Sequence, residues 1–196
     1  MTNLTSIICR IIYIIYGRSN NESKNILDHK KFWKKFVSSK IHEYEEKLWQ
    51  QRISAKPKLR TYVKFKNKLR MEKYLLADTG HTGRSIHTSL RSGTNKPKIE
   101  TDRWSGILKH FRFCTNCDNK QVESEEHFLL YCSKYNLLRT ELFQKILQLS
   151  NGKWDLKSRS VDDALILLLQ GTGDQFESQI FRLFHSYLQK CLRIRV

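Results

Sequence analysis

The stretch "CTNCDNKQVESEEHFLLYC", residues 114–132, contains three of the chain's five cysteines and one of its seven histidines. Cys114, Cys117, His127 and Cys132 form the pattern C-x2-C-x9-H-x4-C. A C-x2-C pair on a short turn can direct two thiolates at one ion, and a histidine and a third cysteine complete a tetrahedral Cys3His set. The sequence therefore predicts a zinc site. The alternative is a set of buried core side chains, and Cys132 does fall on the apolar stripe of a predicted helix.

The geometry of this stretch carries a further expectation. Ser124, followed by Glu125 and Glu126, is typical of a helix N-terminus, where a hydroxyl caps the backbone N–H groups and acids favour the positive end of the dipole. Residues five apart on a regular α-helix point to different faces. For His127 and Cys132 to bind the same ion, we therefore expect either a distorted helical turn or an imidazole long enough to reach across to the ion.

The predicted zinc is structural rather than catalytic. Four protein ligands close the tetrahedron and leave no position for water. The deaminase pattern H-x-E…P-C-x-x-C is absent, since Phe113 precedes Cys114. The acid pair Asp162-Asp163 opens a predicted helix, where acids serve the dipole. We therefore expect no enzymatic activity and no small-molecule substrate.

Positive charge is concentrated upstream of the cysteines. The net charge is +17, and residues 56–113 contain 15 Lys or Arg against 4 Asp or Glu, a net of +11. Such an excess points to nucleic acid, RNA or DNA, with general solubility as the alternative. Contacts should be mainly to phosphates, weakly sequence-specific and strongly salt-dependent. The candidate contact residues are Lys58, Arg60, Lys64, Lys66, Arg84, Arg91, Lys98 and Arg103.

The cysteine count and the N-terminal segment indicate where in the cell the protein is expected. An odd cysteine count without a signal-peptide pattern favours a reducing intracellular compartment, nuclear or cytoplasmic. Cys9 and Cys191 are interpreted as core thiols. "SIICRIIYIIY", residues 6–16, is too short to span a bilayer and contains Arg10, so no membrane partner is expected. A buried strand, the start of a packed helix and the exposed edge of a longer protein all remain open for this segment.

The spacing of apolar residues predicts a mostly α-helical fold with an embedded Cys3His module. Four regions follow: 1–57 with the apolar segment and a long helix, 58–113 basic and helical, 114–149 with the zinc module and its helix, and 150–196 with a helical pair. Predicted helices are residues 26–54, a shorter helix from Leu59 to about Leu69, "RSIHTSLRSG" ending at Gly93, residues 125–149, a helix from the capping box Ser160/Asp163 to Gly171, and residues 176–192. Residues 78–85 are predicted as a glycine-rich turn.

Three stretches, "KLRTYVKFK", "LRSGTNKPKIETDRW" and "CTNCDNKQVESEEHFLLYCSKYNLLR", resemble the C-terminal tail of reverse transcriptases from non-LTR, LINE-like retrotransposons. The resemblance covers roughly residues 30–145, although Pro97 replaces a usual Leu and Asp102 a usual Gly. It implies a role in holding template RNA or target DNA during target-primed reverse transcription. Since polymerase and endonuclease motifs are absent, we expect a fragment. A scaffold docking on the reverse transcriptase core and a non-functional remnant are the alternatives.

Overall fold

The structure is a computed structural model, and it describes residues 23–66, 68–94 and 97–195, with side chains from residue 30 onward. The fold is 68% helix and lacks strands within those ranges, which confirms the mostly α-helical prediction. Its one β-feature in the same ranges is an isolated antiparallel bridge between Phe113 and Val122.

Short 3-10 turns and a π-helical turn lie between some of the α-helices. The α-helices are α1 (Ser23–Ser54), α2 (Arg60–Phe65), α3 (Lys73–Leu76), α4 (Gly80–Arg91), α5 (Lys98–Trp104), α6 (Asn136–Leu149), α7 (Val161–Gln170) and α8 (Glu177–Arg193). Pro57–Leu59, Lys109–Phe111 and Ser133–Tyr135 are single 3-10 turns, and His127–Tyr131 is a π-helical turn.

The chain divides into two units, Met1–Lys47 and Leu48–Val196. Most of α1, the long helix that the 3–4 spacing predicts, lies in the first unit. Phe32, Ile41 and Tyr44 on this helix have exposed side chains. Residues 6–16 and Cys9 lie outside the described residues, so the interpretations of both stay predictions.

The core of the second unit centres on α8. Its inward face consists, as predicted, of Ile180, Phe181, Phe184, Tyr187, Leu188 and Cys191, all buried. The helix packs against α4 and α6, and Leu168 and Leu169 of α7 complete the interior. Burial of Cys191 confirms it as a core thiol. Phe128 and Leu129, beside the metal ligands, belong to the same apolar cluster, so the module is anchored in the main core.

Several predicted helix ends are confirmed by their capping contacts. The Ser160 hydroxyl accepts a hydrogen bond from the Asp163 N–H at 3.2 Å, at the start of α7. Gly93 follows α4 with φ of +63°, and a Cβ there would lie 2.3 Å from the Lys58 carbonyl oxygen. Only glycine fits that left-handed, crowded position without strain.

Three boundary predictions were wrong. The predicted helix 125–149 is interrupted at Cys132, whose ψ of 121° is extended, and α6 begins only at Asn136. The helix expected from Leu59 to Leu69 ends at Phe65, where Lys66 is already extended. The predicted turn 78–85 is mostly helix, because α4 starts at Gly80.

A search of the described helices for a membrane span finds none with the length and apolar character that crossing would require.

Candidate metal centre

Cys114, Cys117, His127 and Cys132 are brought together, as predicted, into a group that could hold a metal ion. Their four ligand atoms lie within 4.8 Å of one another. The Sγ atoms of Cys114 and Cys132 are 3.9 Å apart, and Cys117 Sγ lies 3.3 Å from His127 Nε2. Cys114, His127 and Cys132 are buried, while Cys117 is partly exposed at the rim.

The first two ligands sit on a tight turn closed by backbone hydrogen bonds. Cys114 N–H donates to the Gln121 carbonyl at 2.8 Å, and Phe113 and Val122 form the antiparallel bridge behind it. Inside the turn, Asn116 N–H points at Cys114 Sγ at 3.4 Å. Such N–H groups stabilise negative charge on sulfur, so the turn both positions the thiol and favours its ligand form.

The other two ligands are aligned by the π-helical turn. Cys132 N–H donates to the His127 carbonyl at 2.8 Å, an i→i+5 bond in place of the α-helical i→i+4 bond. This wider turn moves residues five apart towards one face, which a regular α-helix would not do. The predicted distortion is therefore confirmed. Ser124 starts the helix as predicted, since its hydroxyl accepts from His127 N–H at 3.1 Å.

Gln121 orients the imidazole. Its Oε1 lies 3.0 Å from His127 Nδ1. Because an amide oxygen only accepts, Nδ1 carries the proton and the Nε2 lone pair faces the three sulfurs. Sequence reasoning missed Gln121, because the ligand pattern specifies none of the nine residues between Cys117 and His127. Its role follows from its position at the end of the turn, which the sequence alone does not reveal.

Burial works against charge on two of the thiols. It raises the pKa of Cys132 to about 12, with the neighbouring Cys114 adding to the effect, and it raises the pKa of Cys114 as well. For Cys117 burial acts upward but is outweighed by hydrogen bonds, first from the Asn119 backbone, and its pKa is lowered. Burial lowers the pKa of His127, which keeps the ring neutral. Holding three thiolates together here therefore needs a cation.

The buried carboxylate of Glu123 ties the turn to distant parts of the chain. It accepts from Asn116 Nδ2 at 3.1 Å, from the Lys98 backbone N–H at 2.8 Å, and from Arg195 Nη2 at 2.8 Å. The site is thereby joined to the start of α5 and to the end of the chain. Sequence reasoning missed this role too, because two of the three partners, Lys98 and Arg195, are 25 and 72 residues away in the chain.

Arg60, a predicted phosphate contact, is engaged by two acidic side chains. Its Nη2 donates to both oxygens of Glu125 at 2.7 and 2.8 Å, and its Nη1 bonds Glu100. Both carboxylates are buried. The guanidinium is therefore the counter-charge that makes two buried acids tolerable, one of them two residues before His127.

Lys66 and Arg91, two further predicted phosphate contacts, are buried and paired with an acid. Arg91 is 1% exposed, lies 2.9 Å from a Glu72 oxygen and bonds the Leu169 carbonyl. Lys66 is 7% exposed and pairs with the same carboxylate. Neither charge can reach a phosphate without breaking the fold.

The other predicted contact residues reach the surface. Lys64 pairs with Asp162 at 3.1 Å, Lys98 with Asp102 at 3.6 Å, and Arg103 with Glu100 at 3.4 Å. The Arg84 guanidinium donates to the Ala77 carbonyl at 3.2 Å, and Lys58 forms no ion pair with the described residues. The Lys64–Asp162 pair is exposed on both sides, and such a pair is worth little and exchanges readily for another anion.

Comparisons with protein-family models, curated proteins and solved structures find no match for this chain.

Proposed function

We propose that the Cys3His group binds zinc and that the ion is structural. Tetrahedral zinc with Zn–S of about 2.3 Å and Zn–N of about 2.0 Å requires S–S separations of about 3.8 Å and S–N separations of about 3.5 Å. The 3.9 Å between Cys114 and Cys132 and the 3.3 Å between Cys117 and His127 match these values. Thiolate-rich sets select soft ions such as zinc over magnesium or calcium.

We further propose that the chain is a non-catalytic nucleic-acid-binding tail of a retrotransposon reverse transcriptase, which contacts template RNA or target DNA through phosphates. The observation that carries this proposal is positive charge in residues 56–113 that ion pairs with the described residues do not neutralise. In residues 56–113, a set of basic side chains forms no ion pair with the described residues: Lys56, Lys58, Lys68, Arg70 and Lys109. The three stretches that resemble such tails lend this reading further support.

The test is a fluorescence-anisotropy titration of the zinc-loaded chain with a short RNA and a short DNA across salt concentrations. Affinity should fall steeply with salt, because each neutralised phosphate contributes about 0.7 to 0.9 to the log–log slope. A variant with Lys58→Gln, Arg70→Gln and Lys109→Gln should bind more weakly, with a slope reduced by up to about 1 per removed cation.

The matched control removes three charges elsewhere. Lys145, Lys157 and Lys190 lie outside residues 56–113, and Lys145 is paired with Glu141 at 2.6 Å. Their replacement by Gln lowers the net charge equally and should leave the slope nearly unchanged. Absence of binding even at low salt would reject the nucleic-acid role, and a chain that retains no zinc after purification would reject the metal assignment.

A scaffold role is the second candidate. Phe32, Ile41 and Tyr44 expose apolar surface on α1. Self-association of the chain together with a lack of polyanion binding would favour docking on the reverse transcriptase core.

A further inference from the structure

The segment between α5 and the first metal ligand places large apolar side chains in solvent. Trp104 is 72% exposed, Leu108 61% and Phe111 57%, and Phe113 is also exposed. The rings of His110, Phe111 and Phe113 form a connected group, with centroids 4.1 Å apart for His110 and Phe111 and 6.4 Å apart for Phe111 and Phe113, while Trp104 lies at the end of α5. Several large apolar side chains exposed on one short segment indicate an interaction site.

This segment is held in place by its own polar groups. The Arg112 guanidinium donates to the Ile107 carbonyl at 2.8 Å and to the Ile99 carbonyl at 2.6 Å. Gly106, with φ of +72°, closes the end of α5. The rings are therefore presented by a fixed backbone, so little ordering entropy opposes binding.

The metal centre supports the same segment. Phe113 forms the bridge with Val122 and directly precedes Cys114. Glu123 N–H donates to the Arg112 carbonyl at 3.0 Å. The position of the exposed rings is thereby set by the turn that carries the first two ligands.

The positive charge around the exposed rings favours a negatively charged partner. Residues 103–113 contain Arg103, Lys109 and Arg112 and no acidic residue. Aromatic rings interleaved with cations suit a nucleic-acid strand, whose bases stack on the rings while its phosphates meet the cations. In a duplex each base face is covered by the neighbouring base pairs. An aromatic side chain can therefore stack on a base only where the strand is unpaired.

We propose that Trp104 and Phe111 form a base-stacking platform for single-stranded nucleic acid. The proposal rests on the proposed function above and specifies its ligand as an unpaired strand. Arg103 and Lys109 supply the phosphate contacts beside the rings.

The test measures binding of a 12-nucleotide single strand and of a duplex of the same sequence to the zinc-loaded chain. Trp104→Leu and Phe111→Leu keep apolar bulk but remove the aromatic face. Each should weaken single-strand binding about tenfold while changing duplex binding less than twofold. Trp104→Phe and Phe111→Tyr keep a ring and should stay within about threefold of the parent chain.

Tyr44→Leu is the matched control, since Tyr44 is an exposed aromatic flanked by Glu43 and Glu45 and should not contribute. Equal binding of strand and duplex, with the leucine variants unaffected, would overturn the platform and leave the proposed function standing. Failure to bind either form would overturn both. Self-association that the leucine variants abolish, measured by analytical ultracentrifugation, would make the patch a protein interface and overturn the platform.

Discussion

The candidate metal module and the packed helices α4, α7 and α8 are stabilised by different means. Near the candidate ligands, three buried carboxylates, Glu100, Glu123 and Glu125, each pair with an arginine. Between α4, α7 and α8 the interior is mainly apolar, with Leu168, Phe184 and Leu188 fully buried. A region with few apolar side chains depends on a small number of strong polar contacts, so one substitution removes much of its stability. An apolar interior spreads the same stability over many contacts.

The largest expected effect is loss of a metal ligand. Cys117→Ala or His127→Ala should unfold residues 110–135 and abolish stoichiometric zinc, because structural zinc in small sites contributes about 10 kcal/mol or more. Amide hydrogen exchange and metal analysis report both effects. Cys191→Ala, at a buried cysteine outside the site, is the control and should keep its zinc. Unchanged zinc content and thermal stability in the ligand variants would contradict the site.

The next effect breaks the ion pairs behind the ligands. Arg60→Ala leaves Glu125 buried without its cation and Glu100 with Arg103 alone, and it should lower the free energy of unfolding by about 3–5 kcal/mol. Lys64→Ala, four residues away, removes only an exposed pair with Asp162 and should cost about 1 kcal/mol or less. Urea unfolding measures both. An equal loss of unfolding free energy in the two variants would show that a pair with buried carboxylates contributes no more than an exposed pair.

A smaller effect tests the tightness of the apolar core. A Cβ on Gly83 would lie 2.7 Å from His185 Cβ, which is held on α8 and cannot swing away. Gly83→Ala should therefore destabilise the chain by about 1–3 kcal/mol, despite the better helix propensity of alanine. Ser85→Ala, exposed on the same helix, should stay within about 0.5 kcal/mol of the parent. A thermal melt that shows Gly83→Ala to be stabilising would mean that α4 and α8 can separate freely.

The smallest effect is a pH dependence of the same core. His87 Nε2 donates to the Leu169 carbonyl at 3.0 Å, and its Nδ1 lies 2.9 Å from His185 Nε2. Burial lowers the pKa of His87 to about 3 and that of His185 to about 4, and Arg91 and Arg84 oppose protonation further.

Unfolded histidines take up protons near pH 6.5, well above these values. As the pH falls from about 6.5 to about 4, the unfolded state therefore binds more protons, and stability present at neutral pH is lost. Urea midpoints at pH 7, 6 and 5 should fall in the parent chain and less steeply in His87→Gln. The exposed His81→Gln should follow the parent, and His127 contributes equally to all three proteins. Parallel slopes for the parent and His87→Gln would contradict the buried pair.

Predictability from sequence follows the range of the interaction. The four residues of the candidate metal site were identified because their chemistry and spacing are local, and the capping contacts of Ser160 and Gly93 span only a few residues or one backbone position. The inward face of α8 follows from the helical period. In contrast, Gln121 and Glu123 carry no sequence signature, because their role depends on the partner that folding brings to them.

A mostly helical chain, a Cys3His set that could hold a metal ion and a strong basic excess all follow from the amino-acid sequence alone. Which cations face solvent depends on the tertiary structure. Arg60 meets Glu125 across 65 residues and Arg91 meets Leu169 across 78. The charge of each side chain can be read from the sequence, but its burial and pairing depend on contacts between distant segments. A buried cation is tolerated only where the fold places an anion or other acceptor beside it.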